Sequence, residues 1–242
     1  MNHYLSRYLY NRFTLPYRPF YRAYPYDGGL SINSADSRGM VDLALGFFCN
    51  RVPKAANSAI VTHLAQLKFG RDIASHDAKR AFRTPGTLNR KEVEQFADLF
   101  RFTVVRNPYS RVLSAYLDKM ARFPERNTSY ATFDAFVERL SQDPAYLLSN
   151  AHWAPQTALM LIPVEDFDFI GKVESLDQDL ATITAKIHGK ATPLATADAG
   201  PPSTGASKKL RQYYHNDALI AAVRDIYQAD FSRLTYPTDF PA

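Results

Sequence analysis

Lys54 lies in the stretch FFCNRVPKAANSAIVTHL, residues 47–64, between an apolar strand-like run and a helix-like pattern. Four small residues follow it: Ala55, Ala56, Asn57 and Ser58. Small side chains let a ligand approach the backbone, and a lysine favours one that is negatively charged. A strand-to-helix turn also presents unpaired N–H groups at the positive end of the helix dipole, a ready anion site. Asn57 or Ser58 is the expected cap of that helix. The pattern is not a Walker A loop, because the lysine precedes the small residues and no glycine is present. By itself it also describes an ordinary capped helix with a surface lysine.

A second cluster lies in FTVVRNPYSRVLSAYLDKM, residues 102–120. Arg106 ends an apolar run, at the carboxyl edge where parallel α/β sheets bind ligands. Ser110, Ser114 and Asp118 recur every four residues and share one face of the following helix. Arg106 and Ser114 can then grip one phosphate, the arginine in bidentate fashion. The plainer alternative is an arginine tying down a loop beside a solvated serine.

Three histidines are candidate general bases. His63 falls inside the first helix and reads as structural, His76 sits beside Asp77 in a polar segment, and His152 precedes Trp153. The densest basic cluster is Lys208 and Lys209, with Arg211 close behind. It follows a flexible loop, Ala199 to Ala206, and reads either as solvated surface or as a lid over a nucleotide. Glu165, Asp166 and Asp168 lack metal-ligand spacing, so no metal is expected.

The elements that must position these groups alternate strand and helix. Residues 43–49, LALGFFC, read as a buried parallel strand, and FRFTVV (100–105) and FDFIGK (167–172) as two more. Helices are expected over 58–68, 91–98, 108–120, 132–140, 153–161, 176–187 and 217–231, with proline tolerated at the first turn of the third. Residues 31–38 and 191–209 read as loops. The fold class is therefore α/β, with a central, mainly parallel sheet flanked by helices. Residues 1–35, rich in Tyr, Arg and Pro, form an N-terminal arm on one domain spanning 36–242. The arm reads either as aromatics packed on that domain or as a peripheral membrane contact.

The chain has 242 residues, a net charge of +5 and one cysteine, Cys49. It is long enough for a real core, and a disulfide framework or a cysteine-based zinc site is excluded. The positive excess suits a phosphorylated ligand, an anionic polymer or a membrane surface without choosing among them. No apolar run approaches the ~20 residues of a membrane helix, and the N-terminus lacks a signal-peptide core. The expected setting is the cytoplasm, with the arm at the inner membrane face as an option.

Taken together, the motifs resemble the PAPS-dependent carbohydrate sulfotransferases (PAPS is 3′-phosphoadenosine 5′-phosphosulfate). RVPKAANSAI is similar to their 5′-phosphosulfate loop. FTVVRNPYSRVLSAYLDKM is similar to their 3′-phosphate segment, Arg-x-Pro-x-x-Arg-x-x-Ser-x-Tyr. HWAPQTALM (152–160), FDFIGKVESLDQDL (167–180) and RDIYQADFSRLTY (224–236) resemble later stretches of the chondroitin and dermatan 4-O-sulfotransferases. The resemblance implies a P-loop-like nucleotide-binding fold and sulfuryl transfer to a hydroxyl of a glycan or glycolipid. It implies that Arg51, Pro53, Lys54, Ala55, Ala56, Asn57 and Ser58 hold the phosphosulfate. Arg106 and Ser114 would hold the 3′-phosphate, Lys208 and Lys209 would add charge, and Lys54 with His152 or His76 would act in catalysis. The chain departs from the animal enzymes in its Ala55-Ala56 pair and in lacking their cysteines and membrane anchor, which points to a soluble bacterial member.

Two other classes stay open on the residues alone. A P-loop phosphotransferase is disfavoured by the missing Gly-Lys-Ser/Thr. A non-catalytic binder of an anionic polymer fits the charge, but no nucleic-acid motif is present and no nucleic-acid partner is expected.

Overall fold

The computed structural model describes residues 3–122, 131–189 and 204–241. In chain order the elements begin with α1 (His3–Phe13), α2 (Pro19–Ala23), α3 (Ile32–Asp36), β1 (Gly39–Asp42) and β2 (Phe47–Asn50). Then come α4 (Asn57–Phe69), α5 (Ser75–Ala78), α6 (Arg90–Phe96), β3 (Phe100–Val105), α7 (Pro108–Lys119), α8 (Phe133–Gln142) and α9 (Pro144–Leu147). The chain closes with β4 (Phe169–Lys172), α10 (Leu176–His188), α11 (Leu210–Tyr213), α12 (Asp217–Ile226) and α13 (Gln228–Arg233).

The sheet has the order β1-β2-β3-β4. β2, β3 and β4 are parallel, and β1 adds an antiparallel edge to β2. This is the expected α/β arrangement, a mainly parallel sheet flanked by helices. Alternation along β2 shows why both faces are apolar. Phe47 and Cys49 pack in one core cluster with Ile60, Val61 and Leu64 of α4 and with Ile183 of α10. Phe48 points the other way, into a cluster with Leu15 and Phe20 of the arm and Phe96 of α6. Cys49 is buried, which pushes its thiol up to about 12.

Residues 43–46 are not strand. They turn between β1 and β2, because Asp42 Oδ1 accepts the N–H groups of Ala44 and Leu45, at 3.0 Å each. Gly46 completes the turn at φ +70°, a conformation that favours glycine. An unbroken apolar run hides such a turn from periodicity. The expected helix at 153–161 is only a 3₁₀ turn, Thr157–Leu159. Pro155 cannot donate, and Asp230 captures the N–H groups of Gln156 and Thr157 at 2.8 and 2.9 Å. The expected closing helix breaks at Tyr227, whose hydroxyl donates to the Trp153 carbonyl at 2.7 Å. Residues 32–36, expected in a loop, form α3. Of the loop expected at 191–209, residues 191–203 lie outside the described residues.

The arm divides in two. Leu15, Phe20 and Tyr21 are buried, and the Phe20 ring meets Phe96 edge-on at 5.0 Å between centroids. Fully burying such a ring contributes roughly 1.5–3 kcal/mol. Tyr8, Phe13 and Tyr17 stay about 60% exposed. Among the described residues, no helix is long and apolar enough to cross a membrane.

Candidate active site

The loop from Arg51 to Ala56 leaves the carboxyl end of β2 and enters α4. It is tightly wound: Lys54 and Ala56 adopt left-handed φ values of +68° and +51°. Such conformations cost non-glycine residues of the order of 1–3 kcal/mol and persist only where the surroundings impose them. Ala56, not Asn57 or Ser58, is the N-cap of α4, and it supplies no side-chain cap. The first N–H groups of the helix are thus left without a capping side chain. Asn57 Oδ1 instead lies 3.5 Å from Arg51 Nη1. Arg51 is buried, donates to the Ser37 carbonyl and keeps a buried Nε without a partner among the described residues. Burial pulls its guanidinium down to about 10, and neighbouring Arg38 adds repulsion.

Arg106 joins this loop to the second motif. Its Nη1 donates to the Lys54 carbonyl at 3.2 Å, its Nε to Ser110 Oγ at 2.9 Å and its Nη2 to Ser207 Oγ at 2.9 Å. The four-residue spacing on α7 has a structural counterpart at each step. Ser110 meets Arg106, Ser114 Oγ lies 3.0 Å from Thr204 Oγ1, and Asp118 Oδ2 lies 3.1 Å from Lys54 Nζ. Burial lowers the Lys54 ammonium pKa, and the Asp118 carboxylate opposes that shift. Lys208 and Lys209 are exposed and belong to the same turn and its cap as Ser207, which meets Arg106.

His152 is half-buried, and burial with the charges of Lys119, Arg38, Lys54 and Arg111 holds its imidazolium pKa down at about 3. Its Nδ1 lies 2.8 Å from Asn150 Oδ1. An amide oxygen only accepts, so Nδ1 carries the proton and Nε2 keeps its lone pair. His76 is exposed, and its Nδ1 lies 3.2 Å from Asp77 Oδ1. His63 is buried, with Nε2 2.7 Å from Thr184 Oγ1, as a structural histidine should be.

Several supporting residues carried no role in the sequence reading. Arg111, 1% exposed, donates to the carbonyls of Pro53, Ala154 and Ala151 at 3.1, 2.8 and 3.0 Å. Gln156 clamps the Arg106 peptide from both sides, at 2.9 and 2.8 Å. Asp230 accepts from the N–H groups of Gln156 and Thr157 and from the Thr157 hydroxyl. Glu174 accepts the Asn107 N–H and the Tyr236 hydroxyl, at 2.9 Å each. Their only signal in the sequence was membership of the stretches that carry the resemblance. Glu165 and Asp168 form ion pairs with Arg233 and Arg101. Among the described residues, no group of three His, Cys, Asp or Glu side chains is placed to hold a metal ion.

Residues 39–237 match the model of the sulfotransferase family. The chain belongs to this family. Carbohydrate sulfotransferase 14 from Mus musculus is 27% identical over 163 residues, covering 57% of this chain and 42% of the relative. The protein of that name from Homo sapiens is 29% identical over 166 residues, with the same coverage. The chain thus spans less than half the length of these curated relatives. No solved structure matches. The family match takes in both the Lys54 loop and the Arg106 segment, and it leaves out the arm.

Proposed function

We propose that the chain transfers a sulfuryl group from PAPS to a hydroxyl of a glycan or glycolipid. The observation that carries this reading is the Arg106 bridge, which brings two anion-suited segments into one site beside Lys54. When bound, the donor supplies an activated S–O bond and leaves as 3′,5′-adenosine bisphosphate.

The uncapped N–H groups of α4, Lys54 and the unpartnered Nε of Arg51 would receive the phosphosulfate. Arg106 and Ser114 would receive the 3′-phosphate. The Ser207 and Thr204 hydroxyls now take hydrogen-bond positions that phosphate oxygens would occupy. Lys54 exchanges Asp118 for the bridging oxygen and stabilises charge building there. His152 Nε2 takes the proton of the attacking hydroxyl as the new O–S bond forms and the old one breaks. The orientation of its ring by Asn150 favours His152 over His76 for this task.

The test is PAPS turnover across a panel of glycan acceptors, with mass spectrometry of the products, beside thermal shifts with 3′,5′-adenosine bisphosphate and with ATP plus magnesium. Stabilisation by the bisphosphate and a sulfated product are expected. Stabilisation by ATP alone, with phosphorylated product, would overturn the reading.

A further inference from the structure

A cleft of about 620 Å³ opens within the N-terminal arm, between α1 and the chain leading into α3. Such a volume is in the usual range of small-molecule sites, roughly 300–1,000 Å³. Every residue lining it lies between Tyr8 and Ile32, outside residues 39–237 that match the family. The lining mixes aromatic rings with hydrogen-bonding groups: Tyr8 and Tyr26, Asn11, Arg12 and Asp27. Asn11 is unsatisfied. Its Nδ2 donates to Ser31 Oγ at 3.1 Å, while its Oδ1 is buried without a partner among the described residues. Turning the amide over would only move the deficit to nitrogen, since Ser31 Oγ can serve one of the two atoms. A buried polar group left unpaired costs roughly 1–3 kcal/mol, so the Asn11 amide gains from a new donor once a shift of its side chain turns Oδ1 toward the cleft.

The cleft shares packing with the active-site loop. Leu30 lines it and packs in the same core cluster as Val52 and Ala55 of the Lys54 loop. α3 starts at Ile32 on the cleft and ends at Asp36, next to Ser37, whose carbonyl accepts from Arg51.

We infer that this cleft is an acceptor subsite, holding a pyranose of the glycan away from the hydroxyl that is sulfated. The inference rests on the carbohydrate reading above and names where the acceptor is gripped. A pyranose presents an apolar C–H face to a tyrosine ring and hydroxyls to its edge, which suits Tyr8 with Asn11, Asp27 and Arg12. A membrane surface suits the site less well: the cleft is concave, and the Arg12 and Asp27 charges in its lining cancel, leaving no net positive charge to attract anionic lipid.

Saturation-transfer NMR on the full chain tests this without turnover, with a chondroitin tetrasaccharide and cellotetraose as probes. Transfer to at least one probe is expected, with affinity falling tenfold or more in Tyr8→Ala and in Asn11→Ala. Phe13→Ala, which alters an exposed ring that does not line the cleft, should leave binding unchanged. The melting shift produced by 3′,5′-adenosine bisphosphate is read on the same samples and reports both folding and the donor site. No transfer to either probe with that shift intact overturns the subsite alone, as does transfer undiminished in both cleft variants. Sugar loss in Phe13→Ala equal to that in the cleft variants, with binding to phosphatidylserine vesicles, gives the arm to a membrane instead. Sugar binding without the nucleotide shift leaves the subsite standing and removes the donor assignment.

Discussion

Arg106 Nη1 donates to the backbone carbonyl of Lys54 at 3.2 Å, across 52 positions of sequence. The contact ties the loop to the start of α7, and it leaves the Lys54 side chain to Asp118. Replacing Arg106 by alanine should weaken 3′,5′-adenosine bisphosphate by one to two decades, or roughly 1.5–3 kcal/mol. Titration of the wild type and the variant with the bisphosphate and with 5′-AMP checks the assignment. Deleting the 3′-phosphate should cost the wild type far more than the variant; equal losses would remove Arg106 from that phosphate.

Lys54→Ala should cut kcat strongly while the product bisphosphate still binds, because the proposed interaction develops in the transition state. Asp118→Asn tests the partner. Burial lowers the Lys54 pKa, and Asp118 holds it up, so removing that charge lowers it further. The alkaline limb of kcat/KM should then move to lower pH. An unmoved limb in a folded Asp118→Asn protein would show that Lys54 does not govern it.

His152→Ala should lower kcat by about 10²–10⁴ with bisphosphate binding intact. The free enzyme holds the imidazolium pKa at about 3, because burial and nearby cations disfavour the charged form. The acidic limb of kcat/KM should therefore lie well below the ordinary histidine value of about 6.5. A bound polyanionic donor offsets those cations, so the acidic limb of kcat should appear at higher pH than that of kcat/KM. His76→Ala should change neither profile. The reverse ranking of the two variants would transfer the role to His76.

Asp230→Ala should destabilise the fold by at least about 3 kcal/mol in urea unfolding. It strips the acceptor from two backbone N–H groups and the Thr157 hydroxyl, and such losses cost roughly 1–3 kcal/mol each. The same change releases Gln156 from one side, so bisphosphate affinity should fall in the protein that remains folded.

Cys49 should resist alkylation in the native protein and react only on unfolding, since it is 1% exposed and its thiol is pushed up to about 12. Rapid labelling by iodoacetamide at pH 8 without denaturant would contradict this burial.

The two anion-suited segments were legible in the sequence because their signals are local. A strand end, a run of small residues and a four-residue spacing each span less than twenty positions, and chain geometry alone lays Ser110, Ser114 and Asp118 along one helix face. The parallel core of the sheet was legible for the same reason. The β1–β2 turn was not, because Asp42 and Gly46 make it inside an apolar run that periodicity reads as strand. Nor was the cap of α4, where the left-handed Ala56 displaces the better capping residues that follow it. The clamps were beyond local reading altogether. Gln156 reaches Arg106 across 50 positions, Asp230 reaches Gln156 across 74, and Ser207 reaches Arg106 across 101. A buried glutamine or aspartate is stable only where packing brings its partners to it, and that choice of partners is made by tertiary structure.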